Sequence, residues 1–294
     1  MLRHSRRDFL MTGAAALAST AVPTWAGGKR SVTDLVPLGN SGVKVTRMAV
    51  GSGTFGGRIQ RELGQEGFTR IVRHAYDSGI RFFETADAYT GMPQIMATAL
   101  KGIPRDSYKL MTKYRIRDME DPKATIDRLR SDLNSEYVDI LLLHCVRSPN
   151  WPEETKKLQD AFEEAKDKKV IHAHGASVHG LQGLRAFPGN RWLDLALLRT
   201  NHKGVKMDSM QVRDTDEPGN VNEVMSHAKQ LHGQGKGVLG MKLIGEGQFT
   251  KPEDREAAMQ FVVKSGCVDA VTIGFKNTAE IDEAIERMNR ALNA

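Results

Sequence analysis

The chain is 294 residues long, 40% hydrophobic and 27% charged, with a formal net charge of +6. That is enough apolar material for one large domain or two small ones, and no apolar run reaches the ~20 residues that span a bilayer. Arg3, Arg6, Arg7 and Asp8 account for +2 of the charge, and the remaining +4 is scattered without a Lys/Arg-rich run or interleaved aromatics, which excludes a nucleic-acid site.

The first segment reads as an export signal. Ser5-Arg6-Arg7-Asp8-Phe9-Leu10 precedes a weakly apolar stretch from Met11 to Val22, and Thr24-Trp25-Ala26 follows. A charged start, an apolar middle and a small-residue exit form the layout of a secretory leader. The Arg6-Arg7 pair resembles the twin-arginine signal read by the machinery that exports folded proteins. Residues 1–26 are therefore expected to be a leader, 27–35 a linker and 36–294 a single domain, with the mature protein outside the cytoplasm, in the periplasm or an equivalent exported location.

From residue 36 onward strands and helices alternate. Short β-rich runs fall at 47–51, 81–85, 109–113, 138–144, 170–176, 193–200, 237–242 and 270–274, and helical spacing or composition follows, as at 124–133, 153–168, 221–232, 252–263 and 278–292. Continuous apolar runs such as Ile140-Leu141-Leu142-Leu143 suit parallel strands buried on both faces. Eight strand–helix units in roughly 250 residues predict an α/β fold, a (β/α)₈ TIM barrel. The helix after the fifth strand is poorly marked, because Gly180, Gly183 and Pro188 interrupt it. Cys145 should end a strand at the top of the barrel and Cys267 precede one at the bottom, too far apart for a disulfide.

Chemistry in such a barrel sits where strands end. The second strand delivers Glu84 and then Asp87 and Tyr89, the third Lys113, and the fourth His144. A carboxylate, a phenol, a lysine and an imidazole thus leave three successive strands at one end.

These residues carry a resemblance. The run Val36-Pro37-Leu38-Gly39-Asn40-Ser41-Gly42-Val43-Lys44-Val45 looks like a β-hairpin that closes a barrel bottom. The run Gly79-Ile80-Arg81-Phe82-Phe83-Glu84-Thr85-Ala86-Asp87-Ala88-Tyr89, then Leu110-Met111-Thr112-Lys113 and Asp139-Ile140-Leu141-Leu142-Leu143-His144, resemble the site-bearing strands of the aldo-keto reductases. The resemblance implies an oxidoreductase that reduces a small-molecule aldehyde or ketone with NADP (or NAD) as hydride source. Its catalytic residues would be Tyr89, Lys113, His144 and Glu84. Tyr89 would give the proton, Lys113 would lower its pKa from near ~10, and His144 would orient the carbonyl oxygen.

The family's carboxylate is an aspartate, and Glu84 stands in its place, which leaves open whether Glu84 or Asp87 faces Lys113. The implied cofactor contacts are Ser177, Asn201, Met241, Lys242, Gly274, Lys276 and Asn277, the last opening a helix as Asn277-x-x-Glu280. Other positions that grip the cofactor in the family read Val178, Leu197, Ile281 and Ile285, so binding of free NADPH is expected to be weak. Two other readings compete. One is a barrel that binds a ligand without turnover in the periplasm. The other is a metal-dependent hydrolase built on His144, His172, His174 and His202; metal content of the purified protein separates it from the rest. N-terminal sequencing of protein recovered from the periplasm should find a start near Gly27; an intact Met1 on cytoplasmic protein would remove the export assignment.

Overall fold

A computed structural model describes residues 28–210 and 218–294. The expected leader over residues 1–26 lies outside the described residues. Eight parallel strands close into one barrel: β3 (Met48–Gly51), β4 (Phe82–Glu84), β5 (Lys109–Arg115), β6 (Val138–Val146), β7 (Ile171–Val178), β8 (Leu195–Arg199), β9 (Gly237–Met241) and β10 (Ala270–Gly274), the last pairing back with β3. A two-stranded antiparallel hairpin, β1 (Leu35–Pro37) and β2 (Lys44–Thr46), precedes them. This is the predicted TIM barrel with an N-terminal hairpin.

Strand alternation divides the core into two apolar bodies. Ala49, Phe82, Met111, Ile140, Leu142, Ala173, Leu195, Leu197, Leu239 and Ala270 point into the barrel, where Leu38, Val43 and Val45 of the hairpin join them from below. The hairpin is therefore a plug, and each of those three side chains contributes about 1.5–3 kcal/mol on burial. Gly39 lies so close to the chain at Gly235–Gly237 that a Cβ there would stand 2.4 Å from the Gly235 carbonyl oxygen, which is why the turn needs a glycine with φ 49°.

Residues at the alternate positions, such as Val50, Phe83, Leu141, Leu143, Ala196 and Val271, face the helix layer. The helices are α1 (Arg58–Glu62), α2 (Gly64–Asp77), α3 (Met92–Leu100), α4 (Pro122–Asp132), α5 (Trp151–Glu154), α6 (Lys156–Asp167), α7 (Leu181–Leu184), α8 (Val221–Gly233), α9 (Pro252–Ser265) and α10 (Thr278–Leu292). Each long one buries a stripe at helical spacing, as Phe68, Ile71, Val72 and Ala75 do in α2. The helix expected over 153–168 is broken at Thr155 into α5 and α6; the Thr155 hydroxyl bonds the Trp151 carbonyl at 2.8 Å. After β7 only the single turn α7 forms.

The expected linker is a correction. Val32 is fully buried and its N–H donates to Asn289 Oδ1 at 2.7 Å. Arg30 Nε donates to the Leu292 carbonyl at 2.9 Å, and its backbone N–H donates to Asn293 Oδ1, also at 2.9 Å. The segment before the hairpin is thus docked on α10, as part of the domain. Cys145 and Cys267 carry separate thiols. Among the described residues no helix is long and apolar enough to cross a membrane.

At the bottom of the barrel Asp139 of β6 is fully buried and surrounded by donors: the Leu110 N–H at 2.9 Å, Arg105 Nη2 at 2.7 Å, Lys109 Nζ at 3.0 Å and His172 Nδ1 at 3.4 Å. Asparagine keeps one acceptor oxygen but takes the counter-charge from Arg105 and Lys109 and puts an amide donor among donors. Asp139→Asn should therefore lower unfolding free energy by about 2–4 kcal/mol, read as a shift of the urea midpoint at unchanged slope; a change under about 0.5 kcal/mol, the range of ordinary surface substitutions, would contradict this account.

Candidate active site

At the open end of the barrel, β4 and β5 each turn their last inward residue to the same point. Glu84 and Lys113 form an ion pair with side chains only 4% and 2% exposed. The lysine ammonium also donates to the Thr85 carbonyl at 3.1 Å and to the Tyr89 hydroxyl at 3.3 Å, and it stands 4.8 Å from the Tyr89 ring centre. The second Glu84 oxygen accepts from Thr272 Oγ of β10 at 3.1 Å. Glu84 therefore reaches Lys113, and the extra methylene lets its carboxylate span from β5 to β10. Asp87 turns away to Arg128 at 2.9 Å and Arg115 at 4.0 Å.

Tyr89 is placed by the loop after β4, whose N–H groups at Asp87 and Tyr89 donate to the Lys113 and Ala86 carbonyls at 3.1 and 3.0 Å. Its ring meets His144 edge-on, centres 5.5 Å apart and planes at 84°. His144 lies in a bulge of β6, where the register with β7 shifts between Leu143 and Val146 and Cys145 takes φ 60°. The bulge is held by Ser177, whose hydroxyl oxygen accepts the Cys145 N–H at 2.9 Å and donates to the Leu143 carbonyl at 3.4 Å. Bulges re-aim side chains next to active sites. Ser177, expected as a cofactor contact, is fully buried and bonds the backbone on both sides of His144.

Burial sets the protonation states. It holds the Tyr89 phenol above its ordinary range, with Cys145 and Glu246 adding to the effect. The net direction is upward, against the expected lowering by Lys113, because desolvation is the largest cause. Burial pulls Lys113 down to about 7, with Lys242 pushing the same way and Cys145 opposing. His144 lies well below the usual imidazole range, first through burial and then through Lys113, Arg115, Lys242 and Arg147. The site thus holds a neutral phenol and a neutral imidazole around one buried ion pair.

The other expected cofactor contacts divide. Asn201 is fully buried, its amide spent on the Val205 and Lys242 carbonyls at 2.7 and 3.1 Å and its oxygen on the N–H groups of Lys203 and Val205, both at 3.1 Å. It shapes the loop after β8. Met241 and Leu197 line the barrel interior, whereas Val178 and Ile281 face the helix layer, fully buried. A Cβ on Gly274 would stand 2.4 Å from Thr54 Oγ, so the loop after β3 already occupies that approach. Asn277 caps α10, accepting the Glu280 N–H at 3.0 Å, and Glu280 accepts the Lys276 N–H at 2.8 Å, beside an exposed Lys276 side chain.

Lys242 pairs with Glu246, whose Oε1 also accepts the Phe55 N–H at 3.2 Å. That carboxylate shows what the donors accept: Lys242 and the Phe55 N–H suit an oxyanion such as a cofactor phosphate. The phosphate end of a nicotinamide cofactor fits this donor set, while the polar atoms of Ser177 and Asn201 are engaged elsewhere.

Three features escaped the sequence reading. Gly53, just past β3, leaves room for the phenol: a Cβ there would stand 2.5 Å from the Tyr89 hydroxyl oxygen. A glycine directly after the first barrel strand was the available signal. Arg199 ends β8 pointing inward and buried, its Nη2 hydrogen-bonded with His179 Nδ1 and its Nε 3.7 Å from Asp208 Oδ1; alternation from Leu195 and Leu197 marks it. Glu246 carried no pattern.

The histidines do not converge. His174 stacks on Trp192 with centres 4.6 Å apart, His172 tilts against Tyr137 at 4.8 Å, and His202 packs on Phe249 at 5.2 Å. Among the described residues no group of three or more His, Cys, Asp or Glu is placed to hold a metal ion. The hydrolase reading expected the strand histidines at the mouth; both lie on the outer face of β7 instead.

The closed (β/α)₈ barrel thus brings a phenol, a lysine–carboxylate pair and an imidazole together at its open end. The chain belongs to the aldo/keto reductase family, whose sequence pattern matches residues 47–293. A Glycine max protein named "Probable aldo-keto reductase 1" is 29% identical over 149 residues, 46% of this chain and 43% of that protein. L-galactose dehydrogenase of Arabidopsis thaliana is 31% identical over 122 residues, 38% of this chain and 37% of that one. The chain thus spans less than half the length of these curated relatives. The holo form of aldo-keto reductase AKR11C1 from Bacillus halodurans shares the fold at a TM-score of 0.69 and 17% identity, over 88% of this chain and 95% of that one.

Gly53→Ala should push the Tyr89 ring off Lys113 while leaving the barrel intact. Any reaction that uses the Tyr89 hydroxyl should slow by on the order of tenfold or more, since small misplacements of a reacting group are costly, with the thermal unfolding curve little changed. Full activity in this variant would show that Tyr89 does not need its observed position.

Proposed function

We propose that this protein reduces the carbonyl group of a small-molecule aldehyde or ketone with NAD(P)H, using Tyr89 as the proton donor. One observation carries the reading: the Tyr89 hydroxyl lies 3.3 Å from Lys113 Nζ, which Glu84 holds in place, at the open end of a barrel of this family. When bound, the nicotinamide cofactor supplies hydride to the carbonyl carbon; Lys242, Met241 and Lys276 are the side chains that would hold it.

The chain's own residues handle the proton. Tyr89 keeps its proton at rest because burial raises its pKa. A neutral His144 has a ring N–H to donate, and this holds the carbonyl oxygen beside the phenol. As negative charge develops on that oxygen, the phenol proton crosses to it, and the phenolate left behind faces the Lys113 ammonium. Glu84 pairs with that ammonium and aims it, so the ion pair stabilises charge that appears only during reaction.

Export of the folded protein through the twin-arginine route belongs to the same proposal and rests on Arg6-Arg7. Outside the cytoplasm the cofactor would be carried out with the folded chain. A ligand-binding barrel without turnover is favoured by one observation, the commitment of Ser177 and Asn201 to backbone. Nicotinamide cofactor that co-purifies with the protein, seen by absorbance and mass spectrometry, argues against it.

Tyr89→Phe removes the proton and keeps the ring. Turnover with an aldehyde substrate should drop on the order of 10²-fold or more, while calorimetric binding of NADPH stays within about twofold, as expected when only a transition-state interaction is lost. Undiminished reduction would overturn the assignment.

A further inference from the structure

Proton transfer accounts for Glu84 at the mouth but not for Glu246, which lies in the turn after β9. Its side chain is 12% exposed and that of its partner Lys242 20%, so the pair is largely withdrawn from water. Glu246 also reaches across the seam of the barrel to the Phe55 N–H at 3.2 Å, on the loop after β3. Both loops are wound left-handed: Lys242, Gly245, Glu246 and Gly247 have φ of 60°, 54°, 57° and 93°, and Phe55, Gly56 and Gly57 have 50°, 66° and 85°. Lys242, Glu246 and Phe55 each carry a Cβ, and such backbone persists only where its surroundings impose it, often at ligand clamps.

The surroundings here are specific. Gly245 packs so closely on Val205 and Phe249 that a Cβ would meet them at 3.0 and 3.1 Å, and the Asn201 amide fastens the Lys242 carbonyl. The turn is therefore built to present Lys242 and Glu246 side by side. An ammonium and an N–H in a left-handed run make a cradle for an oxyanion, and the oxyanion it holds is the protein's own.

We propose that Glu246 is an internal latch that occupies the oxyanion seat of Lys242 and the Phe55 N–H and must be displaced by a phosphate group of the incoming ligand. That the ligand is a nicotinamide dinucleotide rests on the functional reading above; the latch requires only a phosphate oxyanion. Glu246 lowers affinity for every phosphate-bearing ligand, because each must break an ion pair before making one. Its release also unties the loop after β3 from the turn after β9, the two segments that flank the end of β10.

The test is calorimetric titration of the full chain and of Glu246→Gln with inorganic pyrophosphate and, separately, with NADP⁺. Freeing one ammonium for a charge-assisted contact should tighten pyrophosphate binding about tenfold, and adding Lys242→Met should abolish the gain. Glu246→Gly, which suits the left-handed turn, should reproduce the gain and serves where the glutamine variant folds poorly. Unchanged pyrophosphate affinity in both variants, or a gain that survives Lys242→Met, overturns the latch. Tighter pyrophosphate binding with no NADP⁺ binding to either protein keeps the latch and removes the dinucleotide reading. Equal NADP⁺ binding without a pyrophosphate gain does the reverse.

Discussion

Glu84 and Lys113 are withdrawn from water together, and most of the open end of the barrel is arranged around that fact. Desolvating two ions costs several kcal/mol each before their attraction offsets it. The pair persists because each partner has further bonds: Lys113 with the Thr85 carbonyl and the Tyr89 hydroxyl, Glu84 with Thr272. A pair of apolar side chains would fill the same space without the desolvation cost. What the ions supply is a fixed positive charge beside a phenol, in a place where water does not screen it. The barrel makes this possible by delivering the two residues from adjacent strands, Glu84 opposite Met111 and Lys113 opposite Leu142 in register.

Around that pair the backbone is bent to fit. His144 reaches the mouth through a bulge, Tyr89 through room left by Gly53, and Lys242 through a left-handed turn. In each case a neighbour fixes an otherwise unfavoured geometry: Ser177 for the bulge and Asn201 for the loops after β8 and β9. Two polar residues near the mouth, Ser177 and Asn201, are thereby spent on holding backbone. The bottom of the barrel follows another logic, with the apolar plug of Leu38, Val43 and Val45 and the donors gathered on Asp139 serving stability.

The sequence made the barrel legible because its strands are buried on both faces. Runs such as Ile140–Leu143 have no polar alternation, and they recur at a spacing that only helical crossovers fill. The α10 boundaries were readable from Asn277 and Glu280. The triad at Tyr89, Lys113 and His144 was legible because strand ends point one way. Other features were not, for physical reasons. Val32 is one apolar residue in a polar stretch, with no period to betray that it is buried. The outward aim of His172 and His174 depends on strand phase, which a pair of histidines does not set. Whether Ser177 faces a cleft or mends a bulge is decided by β6, more than thirty residues upstream. The direction of the Tyr89 shift depends on how much water the folded mouth excludes, which local sequence does not encode.

The clasp between Arg30 and the end of α10 has a further consequence. Arg30 bonds Leu292 and Asn293 across an interval of more than two hundred and sixty residues, so the domain's two described ends meet side by side at the plugged end. The order of the chain is then nearly circular, and linear order carries little of the architecture. A short peptide joining those ends, with a new opening cut in an exposed loop, would retain every strand pairing and every contact at the mouth.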